Sequence, residues 1–155
     1  MKKIIQTEHT CSKCQRKFQA ATLGDFVYGE FLLWSEPDNC LYLNVFEDQT
    51  FDEVINLINE NLKLMAIETE DVHLLIQAVY GELACDVDER GQPYKMGNSP
   101  CPNCGSTSME FVASKSVGEV FVNLVTHRYW ESLTQPEKLH RLLIVLSQQQ
   151  AGVRP

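Results

Sequence analysis

Cys11-Ser12-Lys13-Cys14 opens a motif that Cys101-Pro102-Asn103-Cys104-Gly105 completes far along the chain. Each stretch holds two cysteines with two residues between them. That spacing lets both sulfurs reach one ion while backbone N–H groups turn toward them. Together the two pairs supply four thiolates, the complete tetrahedral shell of a structural zinc. The 86 positions from 15 to 100 separate them, so closing the site ties the N-terminal arm to a distant segment.

The 155 residues suffice for one domain with a proper hydrophobic core, and 44% hydrophobic with 22% charged residues is ordinary for a globular chain. No run approaches the roughly 18 apolar residues that span a bilayer. Met1-Lys2-Lys3 starts basic but turns polar at Gln6, so no signal peptide is expected. A cytoplasmic location follows, without membrane association. In that compartment thiols stay reduced, and paired Cys-x-x-Cys motifs read as metal ligands rather than disulfides.

The formal charge is −8. Four thiolates with one Zn²⁺ would lower it by two more charges, to about −10, because a coordinating thiol is deprotonated. Residues 1–20 carry +4, residues 21–94 carry −14 and residues 95–155 carry +2. The acidic stretch repels phosphate backbones, which disfavours nucleic acid and favours a basic protein as partner.

The chain between and around the knuckles alternates strand and helix signals. A strand is expected from Ile4 to His9, and Phe18 has the place of an apolar plug beside a metal site. Phe26–Trp34 and Cys40–Phe46 read as a β-hairpin across a five-residue turn, Ser35-Glu36-Pro37-Asp38-Asn39. Thr50 and Glu53 match a capping box, and Val54, Leu57, Ile58, Leu62 and Met65 predict a helix over 51–64. Thr69-Glu70-Asp71 starts a second helix to residue 84, striped by Leu74, Leu75, Ala78, Val79 and Leu83. This helix pair is placed to cover one face of the sheet.

Residues 86–100 form a polar loop with two glycines and two prolines, and Gly105 permits the positive φ that a knuckle needs. Met109–Ala113 reads as a return strand, while 119–125 fits either a strand or the start of a helix. Helix follows from Thr126 to Leu133. Thr134-Gln135-Pro136-Glu137 is another capping box, and Leu139, Leu142, Leu143, Val145 and Leu146 carry a last helix to about 148. Residues 151–155 are expected to fray.

Cys11-x-x-Cys14 followed by Phe18, with Cys101-Pro102-Asn103-Cys104-Gly105, resembles the paired knuckles of zinc-ribbon, rubredoxin-like proteins. The resemblance implies Cys11, Cys14, Cys101 and Cys104 as ligands of one Zn²⁺. It covers only the knuckle segments. The very long insertion departs from the family's usual pattern, so the transcription-factor and ribosomal roles of ribbons are not carried over. The expected fold is α+β: a zinc ribbon joined to a small antiparallel sheet packed with three to four helices. It would form a single domain, 1–155, with knuckles at 8–20 and 98–113. An acidic α/β insertion would occupy 21–97, and C-terminal helices 126–149.

Other chemistry-bearing residues have plainer readings. Cys40 and Cys85 sit on a strand and a helix end and behave as small hydrophobes. His9, His73, His127 and His140 are scattered, and four cysteines leave no ligand vacancy for them, although His9 lies close enough to act as an outer-shell donor. Asp86-Val87-Asp88-Glu89 reads as a solvated loop. Trp34, Trp130, Tyr28 and Tyr129 read as packing residues.

There is no Ser/His/Asp order, phosphate loop or open metal position, so the expected role is non-enzymatic. A structural zinc site would support an acidic surface that binds a basic protein, as an immunity or inhibitor-type protein binds a toxin nuclease. Two alternatives stay open. One is a nucleic-acid-associated ribbon working through the basic N-terminal arm. The other is a rubredoxin-like electron carrier with iron on the same ligands, zinc being favoured over iron. A thioredoxin-like dithiol would need its Cys-x-x-Cys to open a helix, whereas strand-like residues follow both pairs.

Overall fold

Ile4 and Thr7 both point inward from strand β1 (Lys2–Thr10), although an odd spacing would place them on opposite faces. The pairing with strand β6 (Ser116–Leu124) shifts register between Gln6 and Thr7, passing over Val117, so the extra residue lies in β6. These positions come from a computed structural model that describes residues 1–24, 28–62, 72–110 and 115–152.

The chain divides into two compact units. The first comprises Met1–Phe46 and Met96–Val125, the second Glu47–Lys95 and Thr126–Pro155. With strands β2 (Lys17–Thr22), β3 (Glu30–Glu36), β4 (Asn39–Asn44) and the two-residue β5 (Lys95–Met96), a six-stranded sheet forms in the order β2-β1-β6-β4-β3-β5. The fold class is α+β, but the sheet is mixed rather than antiparallel. β4 and β6 run parallel, pairing Leu41 with Asn123 and Tyr42 with Leu124. A parallel pair needs a long crossover, which the residues between β4 and β6 provide.

The hairpin is present with a tighter turn than the five residues expected. Trp34 pairs with Cys40 and Glu36 with Asn39, leaving only Pro37 and Asp38 between the paired ends. Its first strand begins at Glu30, and Phe26 and Val27 lie outside the described residues. Residues 119–125, open between strand and helix, lie mostly within β6. Of the expected return strand, Met109 forms an isolated bridge to Cys11, and residues 111–113 lie outside the described residues.

Ile4, Ala20, Leu32, Trp34, Tyr42 and Val122 form the core of the first unit, with Phe18, Leu23 and Val120 packed against it. Full burial of such side chains contributes roughly 1.5–3 kcal/mol each.

The second unit is helical. α1 (Gln49–Leu62) buries Val54 and Ile58, and α2 (Val72–Ala84) buries Ile76, Val79, Tyr80 and Leu83. α3 (Arg128–Ser132) places Trp130 fully inside, and α4 (Gln135–Gly152) buries Leu142, Val145 and Leu146. α2 packs against the other three helices. Met65 and the start signal Thr69-Glu70-Asp71 lie outside the described residues. Helix α4 runs to Gly152, and residues 153–155 of the segment expected to fray lie outside the described residues.

Half of the Thr134 capping box forms: the Glu137 carboxylate accepts from the Thr134 backbone N–H at 2.7 Å, and the Thr134 hydroxyl donates to that same carboxylate at 2.6 Å. The Thr50 box does not form. Asp48 caps α1, its Oδ1 accepting from the Phe51 N–H at 3.0 Å, while Thr50 is buried inside the helix. Glu53 turns instead to Trp130 Nε1 at 2.8 Å, Gln135 Nε2 at 3.0 Å and Lys138 Nζ at 2.8 Å. No helix among the described residues is long and apolar enough to cross a membrane.

Candidate metal centre

Strands β1 and β2 pair antiparallel down to Thr10 and Lys17, which puts Cys11 at the end of their ladder. Cys11 N–H donates to the Arg16 carbonyl at 3.0 Å, and Gln15 N–H donates to the Cys11 carbonyl at 2.9 Å. The second knuckle repeats both bonds at the same offsets. Cys101 N–H donates to the Ser106 carbonyl at 2.9 Å, and Gly105 N–H to the Cys101 carbonyl at 2.8 Å. Each turn is completed by one residue at positive φ, Gln15 at 59° and Gly105 at 69°. Glycine reaches that region without a Cβ clash and glutamine does not. The duplicated motif in the sequence is thus a duplicated backbone conformation.

The two knuckles are also tied to each other. Ser12 N–H donates to the Ser108 carbonyl at 3.0 Å, and Glu110 N–H to the Thr10 carbonyl at 2.9 Å. All four sulfurs of Cys11, Cys14, Cys101 and Cys104 then lie within 4.8 Å of one another. Cys11 Sγ sits 3.6 Å from Cys104 Sγ, and Cys14 Sγ 3.6 Å from Cys101 Sγ. A tetrahedron with metal–sulfur bonds of about 2.3 Å has edges of about 3.8 Å, whereas bonded disulfide sulfurs are about 2 Å apart. The donor set therefore fits a thiolate-bound metal ion, and these four residues would hold it.

Electrostatics point the same way. Backbone N–H of Arg16, followed by the Asn103 side chain, draws the Cys14 thiol down to about 6. At Cys104 the Ser106 N–H also favours the thiolate, but burial and the thiols of Cys14, Cys11 and Cys101 outweigh it, pushing Cys104 up to about 11. Four adjacent sulfurs cannot all carry charge unless a cation sits among them. Cys11 and Cys101 are buried, Cys14 is half-buried and Cys104 is exposed.

The remaining candidates fall elsewhere. Burial pushes the Cys40 thiol up to about 11, and the fully enclosed Cys85 thiol is pushed up further still. His9 Nε2 lies 2.7 Å from the Thr7 hydroxyl and 3.0 Å from that of Thr22, so it braces β1 against β2. Among the described residues, the four cysteines are the one group of three or more metal-ligating side chains drawn together. Two carboxylates of the supposed solvated loop are structural. Asp86 caps α3 by accepting from the Arg128 and Tyr129 N–H groups, and Asp88 accepts from those of Arg90 and Gln92.

One polar pair had no local signal. His127, 9% exposed, meets Asp48 across 79 positions of sequence. Nothing in the residues around either one marks the partnership. Compared with known proteins, the chain matches no family, no curated protein and no solved structure.

Proposed function

We propose that this chain is a non-enzymatic, zinc-ribbon-type protein in which Cys11, Cys14, Cys101 and Cys104 hold one structural Zn²⁺. Its acidic helical unit would serve as a binding surface for a basic protein. The observation that carries the metal reading is the repeated knuckle: the same two backbone hydrogen bonds at the same offsets, with four sulfurs gathered within 4.8 Å. Four thiolates saturate a tetrahedral ion and leave no position for water or substrate, which supports a scaffold role over a catalytic one. Offsetting the entropy of closing an 86-residue loop is work that metal binding can do.

The division into units sharpens the partner reading. The segments of the helical unit contain fourteen acidic and seven basic residues, whereas those of the sheet unit contain seven and six. Several acids of the helical unit are committed internally: Asp48, Glu53, Asp86 and Glu137 each accept hydrogen bonds that cap or cross-link helices. Glu47, Asp52, Glu60, Glu89 and Glu131 are exposed. Asp52, Asn56 and Glu60 follow one another at helical spacing on the outer side of α1. Such a face steers a basic partner and suits an inhibitor of a cationic toxin.

The nucleic-acid alternative draws less support. Lys2 pairs with Glu30, Lys3 with Glu119 and Lys17 with Glu8, so three cations of the N-terminal arm are already matched within their own unit. Metal analysis of the purified chain tests the first half: one zinc per chain and no colour are expected, while a red protein would mean iron. Co-purification with Asp52→Lys and Glu60→Lys variants tests the second. Unchanged capture of every strong partner would remove the acidic face from consideration.

A further inference from the structure

Two cross-knuckle contacts of 3.6 Å each join one accessible sulfur to one buried sulfur. Cys104 is exposed and faces the buried Cys11; Cys14 is half-buried and faces the buried Cys101. We propose that this four-cysteine centre is a peroxide-oxidisable site that closes into two cross-knuckle disulfides, Cys11–Cys104 and Cys14–Cys101. The inference rests on the metal-site reading above.

The chemistry follows from which sulfurs an oxidant can reach. Peroxide meets Cys104 first, and its terminal oxygen transfers to that sulfur to give a sulfenic acid and water. The Cys11 sulfur, 3.6 Å away, attacks the sulfenic sulfur and expels hydroxide, which takes up a proton as water. Cys14 and Cys101 repeat the sequence with a second peroxide. Four thiolates thereby lose four electrons, two peroxides gain them with four protons, and four waters leave. No anionic sulfur remains to hold a cation, so oxidation and metal release are one event. Cys85 is buried and Cys40 half-buried, so an oxidant reaches both less readily than the exposed Cys104.

The pairing decides the structural outcome. Disulfides within each Cys-x-x-Cys would leave the two knuckles unlinked once the metal departs. Cross-knuckle disulfides join the same two chain segments that the metal joined, with covalent bonds in its place. The oxidised protein is therefore expected to surrender its ion and keep its sheet unit folded.

The test uses the full-length, metal-loaded protein. It is titrated with hydrogen peroxide while metal release is followed with a chromogenic chelator, disulfides are mapped by mass spectrometry without reduction, and far-UV circular dichroism is recorded. Expected are complete release of the ion at two peroxides per chain, peptides linking 11 to 104 and 14 to 101, and a retained spectrum. Dithiothreitol with added zinc should restore the starting state. Pairing of 11 with 14 and 101 with 104, links between chains, or sulfinic acids with the metal retained would each overturn the proposal. A preparation that never holds metal would instead overturn the metal-site reading, and mapping the reduced apo chain after oxidation still decides the pairing. Cys104→Ala provides a second readout: a sharply slowed first oxidation supports Cys104 as the entry point, and an unchanged rate removes it.

Discussion

His127 stands between two acceptors, its Nε2 2.8 Å from Asp48 Oδ2 and its Nδ1 2.8 Å from the Ala84 carbonyl oxygen. Both ring nitrogens face an acceptor, an arrangement that favours the doubly protonated imidazolium. Burial alone would lower its pKa, yet hydrogen bonds to Asp48 and Ala84 raise it above the ordinary 6.5. Asp48 responds oppositely: burial works against its charge, but the bond to His127 holds it below 3.8. Asp48 also caps α1, so this pair ties the start of one helix to the end of another.

The pH dependence of the helical unit follows by sign. A raised histidine contributes stability that is complete below 6.5 and is lost as pH rises through its folded value. A depressed aspartate contributes stability present above 3.8 and lost as pH falls through its folded value. The pair's contribution is therefore greatest between those two pH values. A melting temperature that rose steadily from pH 5 to pH 9 would contradict it. His127→Ala should cost about 3 kcal/mol near pH 6, because it strands a buried carboxylate.

Glu53 and Lys138 give a second pair, half-buried at Glu53 and buried at Lys138, which is 8% exposed with its ammonium 2.8 Å from the carboxylate. Glu53→Ala leaves that ammonium unpaired and strips the Trp130 indole N–H of its acceptor. A loss of about 3 kcal/mol is expected in denaturant titration, with altered tryptophan fluorescence. Replacing Lys138 by Met at the same time should recover part of it. Additive losses would show that the two do not interact.

The left-handed turns predict opposite effects in the two knuckles. Gln15→Gly removes strain and should raise the melting temperature of the metal-loaded protein, by at most about 1 kcal/mol in stability. Gly105→Ala should lower it by a similar amount, even though a Cβ there meets no atom within 4 Å. The cost is conformational rather than steric.

Metal content should separate ligand cysteines from packing ones. Cys11→Ser or Cys101→Ser should abolish stoichiometric zinc and melt the sheet unit at lower temperature. Cys40→Ala should retain the metal and cost about 1 kcal/mol, the amount expected for a half-buried small side chain. Loss of zinc on Cys40→Ala would mean that the wrong sulfurs had been assigned.

The parts legible in the sequence were those fixed by near neighbours. The knuckles declare themselves because two-residue spacing is a local constraint, and the Thr134 box because its partner is three residues away. Thr50 and Glu53 carry the same local pattern, yet there it failed: Lys138 and Trp130 offered Glu53 a better-satisfied position, and Asp48 was free to cap. The parallel pairing of β4 with β6 and the Asp48–His127 bond depend on residues about 80 positions apart. No window of local sequence contains either.

The chain passes from the sheet unit to the helical unit after Phe46, returns after Lys95, and leaves again after Val125. Neither unit is a continuous piece of polypeptide. During synthesis, the sheet unit cannot be finished until the ribosome has made the 120s, by which time half of the helical unit has waited without its partner helices. The second cysteine pair arrives in that same interval. Metal availability while the nascent chain is emerging would therefore influence how much of it reaches the native state, and no single proteolytic cut can release either unit whole.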